Sequence, residues 1–144
     1  MNMDRYVIEK VLSNNDLGLT GTHQAGILIP KRKEILDFFP FLYPVAVNPR
    51  AEISFEDESG QIWKFNFIYY NNRFRNGTRN EYRLTGTTAY FRATGLQPGE
   101  IMIFSRYDDN YFISYKRMAD TMNEETDGVI TLKLSSDSWR VVDL

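Results

Sequence analysis

Apolar side chains recur mostly at every second position along this chain, the spacing of a strand with one buried face. Residues 6–13 alternate in this way, and residues 25–29 form a short apolar run halted at Pro30. Further strands are predicted over 51–55, 62–70, 101–105, 111–115, 129–134 and 139–142, all rich in β-branched and aromatic residues. An acidic turn containing Gly60 joins 51–55 to 62–70, and the runs 108–110 and 123–128 carry Asn, Asp and Gly turn chemistry. One segment changes period. Residues 31–39 follow Pro30, place Ile35, Leu36, Phe38 and Phe39 on one helical face, and stop at Pro40. Lys31, Arg32 and Lys33 oppose the dipole of such a helix, so they read as a solvated face, with a phosphate contact as the other reading. Residues 88–93 form a short second helix closed by Gly95.

Seven or more short strands with two small helices make a mainly β chain that closes, or nearly closes, into a barrel. The lack of sustained 3.6-residue periods excludes a helix bundle. The lack of G-x-G-x-x-G and of alternating strand and helix excludes a dinucleotide-binding fold. With 144 residues and no repeat or low-complexity linker, a single domain over 1–144 is expected.

Composition narrows the chemistry. The chain has no cysteine, which removes disulfides, thiolate metal sites and a cysteine nucleophile. Its one histidine, His23, rules out any site that needs two imidazoles. Scanning the lysines finds none with a glutamate two residues before it, so the usual nuclease pattern of carboxylates and lysine is missing. Glu52, Glu56, Asp57 and Glu58 read as an edge and turn, not a metal cage. No serine elbow accompanies His23. No catalytic residue, cofactor or metal is therefore expected. No run approaches the ~18 apolar residues of a membrane span, and the N-terminus builds no signal sequence. A cytoplasmic protein without a membrane partner follows as the expectation.

Two polar segments are long for a compact domain, and each follows a strand. The first, residues 13–24, carries Ser13, Asn14, Asn15, Asp16, Thr22, His23 and Gln24. The second, residues 71–83, carries Arg73, Arg75, Asn76, Thr78, Arg79, Asn80, Glu81, Tyr82 and Arg83. Between Tyr69 and Arg83 four arginines face one acid, a local +3 that leaves −5 on the rest of a chain whose formal charge is −2. A basic prong on an acidic body directs a polyanion to one edge. Arginine fits guanine O6 and N7 bidentately, and a carboxylate accepts from cytosine N4–H but is repelled by phosphate. Arg79, Glu81 and Arg83 lie two apart and so share a face of an extended segment. Equally open on spacing alone is a solvated arginine-rich hairpin with surface ion pairs. For His23, Asn14, Asn15 and Asp16 the competing reading is ordinary turn and cap chemistry.

Specific strings sharpen this. Asn15-Asp16…Gly18…Thr20-Gly21…His23-Gln24…Gly26, Ile29-Pro30, Asn48-Pro49, Ile68-Tyr69-Tyr70-Asn71…Arg73 and Thr78-Arg79-Asn80-Glu81…Arg83 resemble the N-terminal effector DNA-binding domain of EcoRII-type restriction endonucleases. That family belongs to the B3-like DNA-binding pseudobarrels. Tyr90-Phe91…Leu96…Pro98-Gly99-Glu100-Ile101 is similar to the general B3 pattern. The resemblance implies a seven-stranded open pseudobarrel whose N-arm (13–24) and C-arm (71–83) grip the major groove of duplex 5′-CCWGG. It further implies a monomeric recognition domain, part of a longer restriction enzyme with a separate catalytic nuclease domain. Carried onto this chain, His23 serves the first arm and Arg79, Glu81 and Arg83 the second. On this reading Arg79 and Arg83 are expected to read guanine and Glu81 cytosine, while Arg73 and Arg75 are expected to anchor phosphates. Gly77 and Tyr82 stand where the family has lysines. Two alternatives from other classes are a self-contained nuclease and a β-barrel module binding carbohydrate or protein through its aromatics.

Overall fold

A computed structural model describes residues 5–19, 26–43, 46–71, 79–118 and 137–142. Eight strands among them form one sheet: β1 (Arg5–Val11), β2 (Ile27–Ile29), β3 (Arg50–Glu56), β4 (Ile62–Tyr70), β5 (Glu81–Thr85), β6 (Ile101–Tyr107), β7 (Asn110–Lys116) and β8 (Trp139–Val141). Two short helices, α1 (Lys33–Leu36) and α2 (Thr88–Thr94), complete the set. The strand order is β2-β5-β4-β3-β7-β6-β1-β8, antiparallel throughout except where β3 meets β7.

The sheet curls until its two edges nearly meet. Trp139 of β8 is buried, and its indole N–H donates to the Leu28 carbonyl of β2 at 3.0 Å. Arg32 adds a second tie, with Nε on Asp137 at 2.9 Å and Nη2 on the Trp139 carbonyl at 2.8 Å. Closing the edges in this way protects strand groups that would otherwise invite pairing with another chain. The core inside is aromatic: Phe38, Phe55, Phe65, Phe67, Phe104, Tyr90 and Trp139 are all buried.

The expected open barrel with two small helices is the fold that forms, with eight strands where the resemblance implied seven. The expected run 129–134 lies outside the described residues. The expected polar arm runs over the whole of 71–83, whereas β5 begins at Glu81, because Tyr82 and Leu84 turn inward to pack on the core. The first helix is a single turn and not residues 31–39. Phe38 and Phe39 still reach the core through the turns that follow it. Arg32 is not a solvated cation but the edge tie just described, and Lys33 pairs with Asp37 at 2.5 Å. Residues 88–94 are helical as expected, and Gly95 ends the helix at φ +66° with its N–H on the Phe91 carbonyl. No helix among the described residues is long and apolar enough to cross a membrane.

Gly26, where the first arm returns to the barrel, has φ +82°, and a Cβ there would stand 2.2 Å from the Leu84 carbonyl oxygen. Only glycine lets β2 approach the end of β5 so closely.

Candidate nucleic-acid interface

The C-arm leaves the barrel after β4 and returns at β5, so these two strands set its root. Their pairing places Tyr70 opposite Glu81, Ile68 opposite Arg83 and Asn66 opposite Thr85. Alternation then divides the hairpin into two faces.

The outer face carries the arginines. Arg79 Nε donates to Glu81 Oε1 at 3.1 Å, and Arg83 Nε donates to Glu81 Oε2 at 2.9 Å. The Arg79 guanidinium also lies over the Tyr70 ring, 4.1 Å from its centroid. Each contact fixes a different degree of freedom: Glu81 holds the Nε edge, and the ring holds the guanidinium plane. Exposure falls steeply along the row. The Arg79 side chain is 42% exposed, Glu81 21% and Arg83 only 3%. Sequence spacing therefore finds the shared face and the pairing, but Arg83 does not project from the surface. It acts as the inner counter-charge that aims Glu81. An ionised carboxylate has about four acceptor sites, so Glu81 keeps capacity for another donor while holding both arginines.

The inner face is a stack of rings. Tyr69 lies on Tyr82 (4.5 Å, 19°), Tyr82 on Phe67 (5.6 Å, 15°) and Phe67 on Phe39 (4.6 Å, 12°). Burial, reinforced by the neighbouring Tyr69, holds the Tyr82 hydroxyl above its ordinary pKa, so the Tyr82 ring stays neutral. The residue standing in place of a family lysine thus packs inward. Asn80 is exposed, and its Oδ1 accepts from the Tyr69 hydroxyl at 2.5 Å.

In the N-arm, the described part divides differently from the expectation. Asp16 is buried, bonded to Lys10 Nζ at 3.0 Å and accepting from the Ser13 N–H at 2.9 Å, while Ser13 Oγ accepts from the Asp16 N–H at 3.1 Å. This reciprocal exchange is a turn lock, the ordinary reading for an aspartate here. Asn14 is exposed and Asn15 half-buried on the outside of that turn. Thr22, His23, Gln24, Arg73, Arg75, Asn76 and Thr78 lie outside the described residues. A groove of about 710 Å³ runs between this turn and α2, past Gly26 and Thr87 at the far end of β5.

The arms root at opposite ends of β5. The C-arm joins at Glu81, and the N-arm returns at Gly26 beside Leu84 and Thr85. From Glu81 to Thr85 the strand takes four residue steps, roughly 13 Å at a rise of ~3.3 Å per residue.

Spacing alone does not single out Tyr69, Tyr70, Asn48 and Asn71 as partners of the arm. Their signal lies in the strings Asn48-Pro49 and Ile68-Tyr69-Tyr70-Asn71, where two aromatics end a strand just before a basic loop. Among the described residues no group of three or more potential metal ligands occurs.

A curled, almost closed sheet of this order with two short helices is a B3-type pseudobarrel. The Arabidopsis FUS3–DNA complex superposes with a TM-score of 0.58 at 25% identity, covering 78% of this chain and 97% of that one. The Arabidopsis thaliana LEC2–DNA complex shares the fold, at TM-score 0.59 and 20% identity over 82% and 99% of the two chains. A B3 domain-containing protein of Arabidopsis thaliana is 28% identical over 142 residues, 94% of this chain and 49% of that protein. A putative AP2/ERF and B3 domain-containing protein of rice is 26% identical over 140 residues, 94% and 40% respectively. The chain thus spans half or less of these relatives. The family described as restriction endonuclease EcoRII, N-terminal, matches residues 1–134, and the chain belongs to it.

Proposed function

We propose that this chain is a non-catalytic, sequence-specific reader of double-stranded DNA. Its two arms enter the major groove, and it serves as the effector or recognition part of a restriction endonuclease whose nuclease domain lies elsewhere. The observation that carries the reading is the Arg79–Glu81–Arg83 row. A guanidinium held by Glu81 at Nε and by Tyr70 at its face keeps both terminal amino groups without a protein partner among the described residues. That edge is the one that meets guanine O6 and N7. Glu81, held from behind by Arg83, accepts from cytosine N4–H beside it. The roughly 13 Å between arm roots matches a major groove about 12 Å wide. Family membership and the likeness to B3–DNA complexes support the same reading.

By the resemblance, the target is 5′-CCWGG, which has G·C pairs for Arg79 and Glu81 on either side of a central pair chosen by DNA shape. Arg73 and Arg75 anchor phosphates, which position without specifying. Localisation with the DNA it reads, in a prokaryotic cytoplasm, goes with this role.

Selection from a randomised duplex pool, repeated at two salt concentrations, tests the proposal. Enrichment of one sequence, retained at the higher salt, is expected. Recovery of unenriched sequence would overturn it. Incubation with plasmid and magnesium separates the self-contained nuclease, and no cleavage is expected.

A further inference from the structure

The basic arm is held at both ends by uncharged residues that form no part of the base-reading row. Where it leaves β4, the Asn71 N–H donates to Asn48 Oδ1 at 3.1 Å, and the Asn48 N–H donates to Asn71 Oδ1 at 3.0 Å. Asn71 Nδ2 donates to the Ala46 carbonyl at 2.7 Å, and the Tyr69 N–H to the Pro49 carbonyl at 3.0 Å. Asn48 adopts φ +46°, a left-handed conformation that costs most residues free energy and that asparagine tolerates best. Where the arm returns, the Tyr69 hydroxyl bonds Asn80, next in sequence to Arg79. Tyr69 itself ends the ring stack that runs through Tyr82 and Phe67 to Phe39 in the core.

We infer that the Asn48–Asn71 exchange and the Tyr69–Asn80 bond form a positioning frame. It fixes the two ends of the basic arm so that Arg79 meets the base edges already aimed, and sequence discrimination depends on it. Tyr69, Asn71 and Asn48 are positioning residues, and Asn80 acts through Tyr69 and not as a base contact. The physical reason is preorganisation: an arm with free ends must be ordered on binding, and that entropy is subtracted from the contacts it makes. Non-specific attraction to phosphate tolerates a loosely aimed arm; a bidentate fork does not. The frame rests on the DNA-reading proposal above.

The test uses the whole chain, the duplex enriched by selection and a scrambled duplex of equal length. Tyr69→Phe keeps the ring and its stacking and deletes one hydroxyl. Asn71→Ala removes the exchange. Each is expected to lose about three- to tenfold in affinity for the selected duplex, the scale of one or two hydrogen bonds. Affinity for the scrambled duplex and the salt slope should stay unchanged, because no phosphate contact is removed. Asn71→Gln, with the same amide on a longer stem, should not restore the exchange. Should Asn71→Ala fail to fold, Tyr69→Phe decides alone. A preference that survives in Tyr69→Phe overturns the frame while leaving the DNA reading intact. A wild-type chain that binds both duplexes alike overturns the reading, and the frame with it.

Discussion

The two ends of strand β4 solve opposite problems. At one end, the link from β3 is a tight turn in which a single carboxylate satisfies its own neighbourhood. Asp57 Oδ1 accepts from the Ser59 N–H at 2.8 Å, the Ser59 hydroxyl at 2.6 Å and the Gln61 N–H at 3.0 Å, while Oδ2 accepts from Trp63 Nε1 at 2.9 Å. At the other end, the chain runs out into an arginine-rich arm whose root has one carboxylate for two guanidiniums. The acid of the turn is saturated by donors that belong to the fold. Arg79 at the root of the arm is oriented by Glu81 and Tyr70, and its terminal amino groups have no protein partner among the described residues. Polar density alone does not mark a binding site; what matters is whether hydrogen-bonding capacity is consumed locally or left over.

The largest effect expected on this contrast comes from the residue buried between the two ends. Phe67 is sandwiched between Phe39 and Tyr82, and Phe67→Ala should cost about 3–5 kcal/mol of stability. Denaturant unfolding measures it. Removing the middle of the stack should also loosen the arm end, so selected-duplex binding should fall more than scrambled-duplex binding in the fraction that stays folded.

Next comes the reader itself. Arg79→Ala should lose about 1–3 kcal/mol on the selected duplex and blur preference at one base pair, with little change on scrambled DNA. Arg75→Ala should weaken every sequence alike and reduce the salt slope by about 0.9. Titrations of both variants against both duplexes at several salt concentrations check the split. Equal losses on both duplexes for Arg79→Ala would reassign it to phosphate contact and erase the distinction between the two arginines.

Much of this was legible in the sequence because period-two alternation reports burial directly. It places β4, β6 and β7 well, and the helix before Gly95 to within a residue. The arm's unbroken Thr78-Arg79-Asn80-Glu81…Arg83 string gives the family resemblance that the match over residues 1–134 bears out. Three features escape such reading for physical reasons. Arg83 looks like Arg79 in sequence, but their exposures differ because Arg83 sits inside β5, paired on both sides by Leu28 and Ile68. Glu9 and Lys10 interrupt the inward pattern of β1 yet are buried, since Arg140, 131 positions along the chain, and Asp16, in the turn just after β1, supply their counter-charges. Arg32 faces Asp137 across 105 positions of chain, a separation no local pattern encodes.

The smallest effect expected lies at the quiet end of β4, and its sign follows from the turn's hydrogen bonds. Donation by the Ser59 hydroxyl and then by Trp63 Nε1, joined by the backbone N–H groups of Gln61 and Ser59, outweighs the cost of partial desolvation. These bonds lower the Asp57 pKa from its ordinary 3.8 to about 2. A carboxyl whose folded pKa is depressed adds stability that is fully present above its unfolded value and is lost as pH falls through the folded one. The Asp57 contribution should therefore be constant from neutral pH down to about 4 and disappear between 3.8 and about 2. Asp57→Ala should accordingly unfold at a lower temperature than the parent near pH 7, with the two melting curves converging across that acid window. Because Asp57 lies at the far end of β4 from Arg79, duplex binding by the folded variant should match the parent at neutral pH. A melting difference that persists to pH 2 would mean that the turn uses the shape of the side chain and not its charge. Weakened duplex discrimination in the variant would mean that the two ends of β4 are coupled, and the contrast between them would then fail.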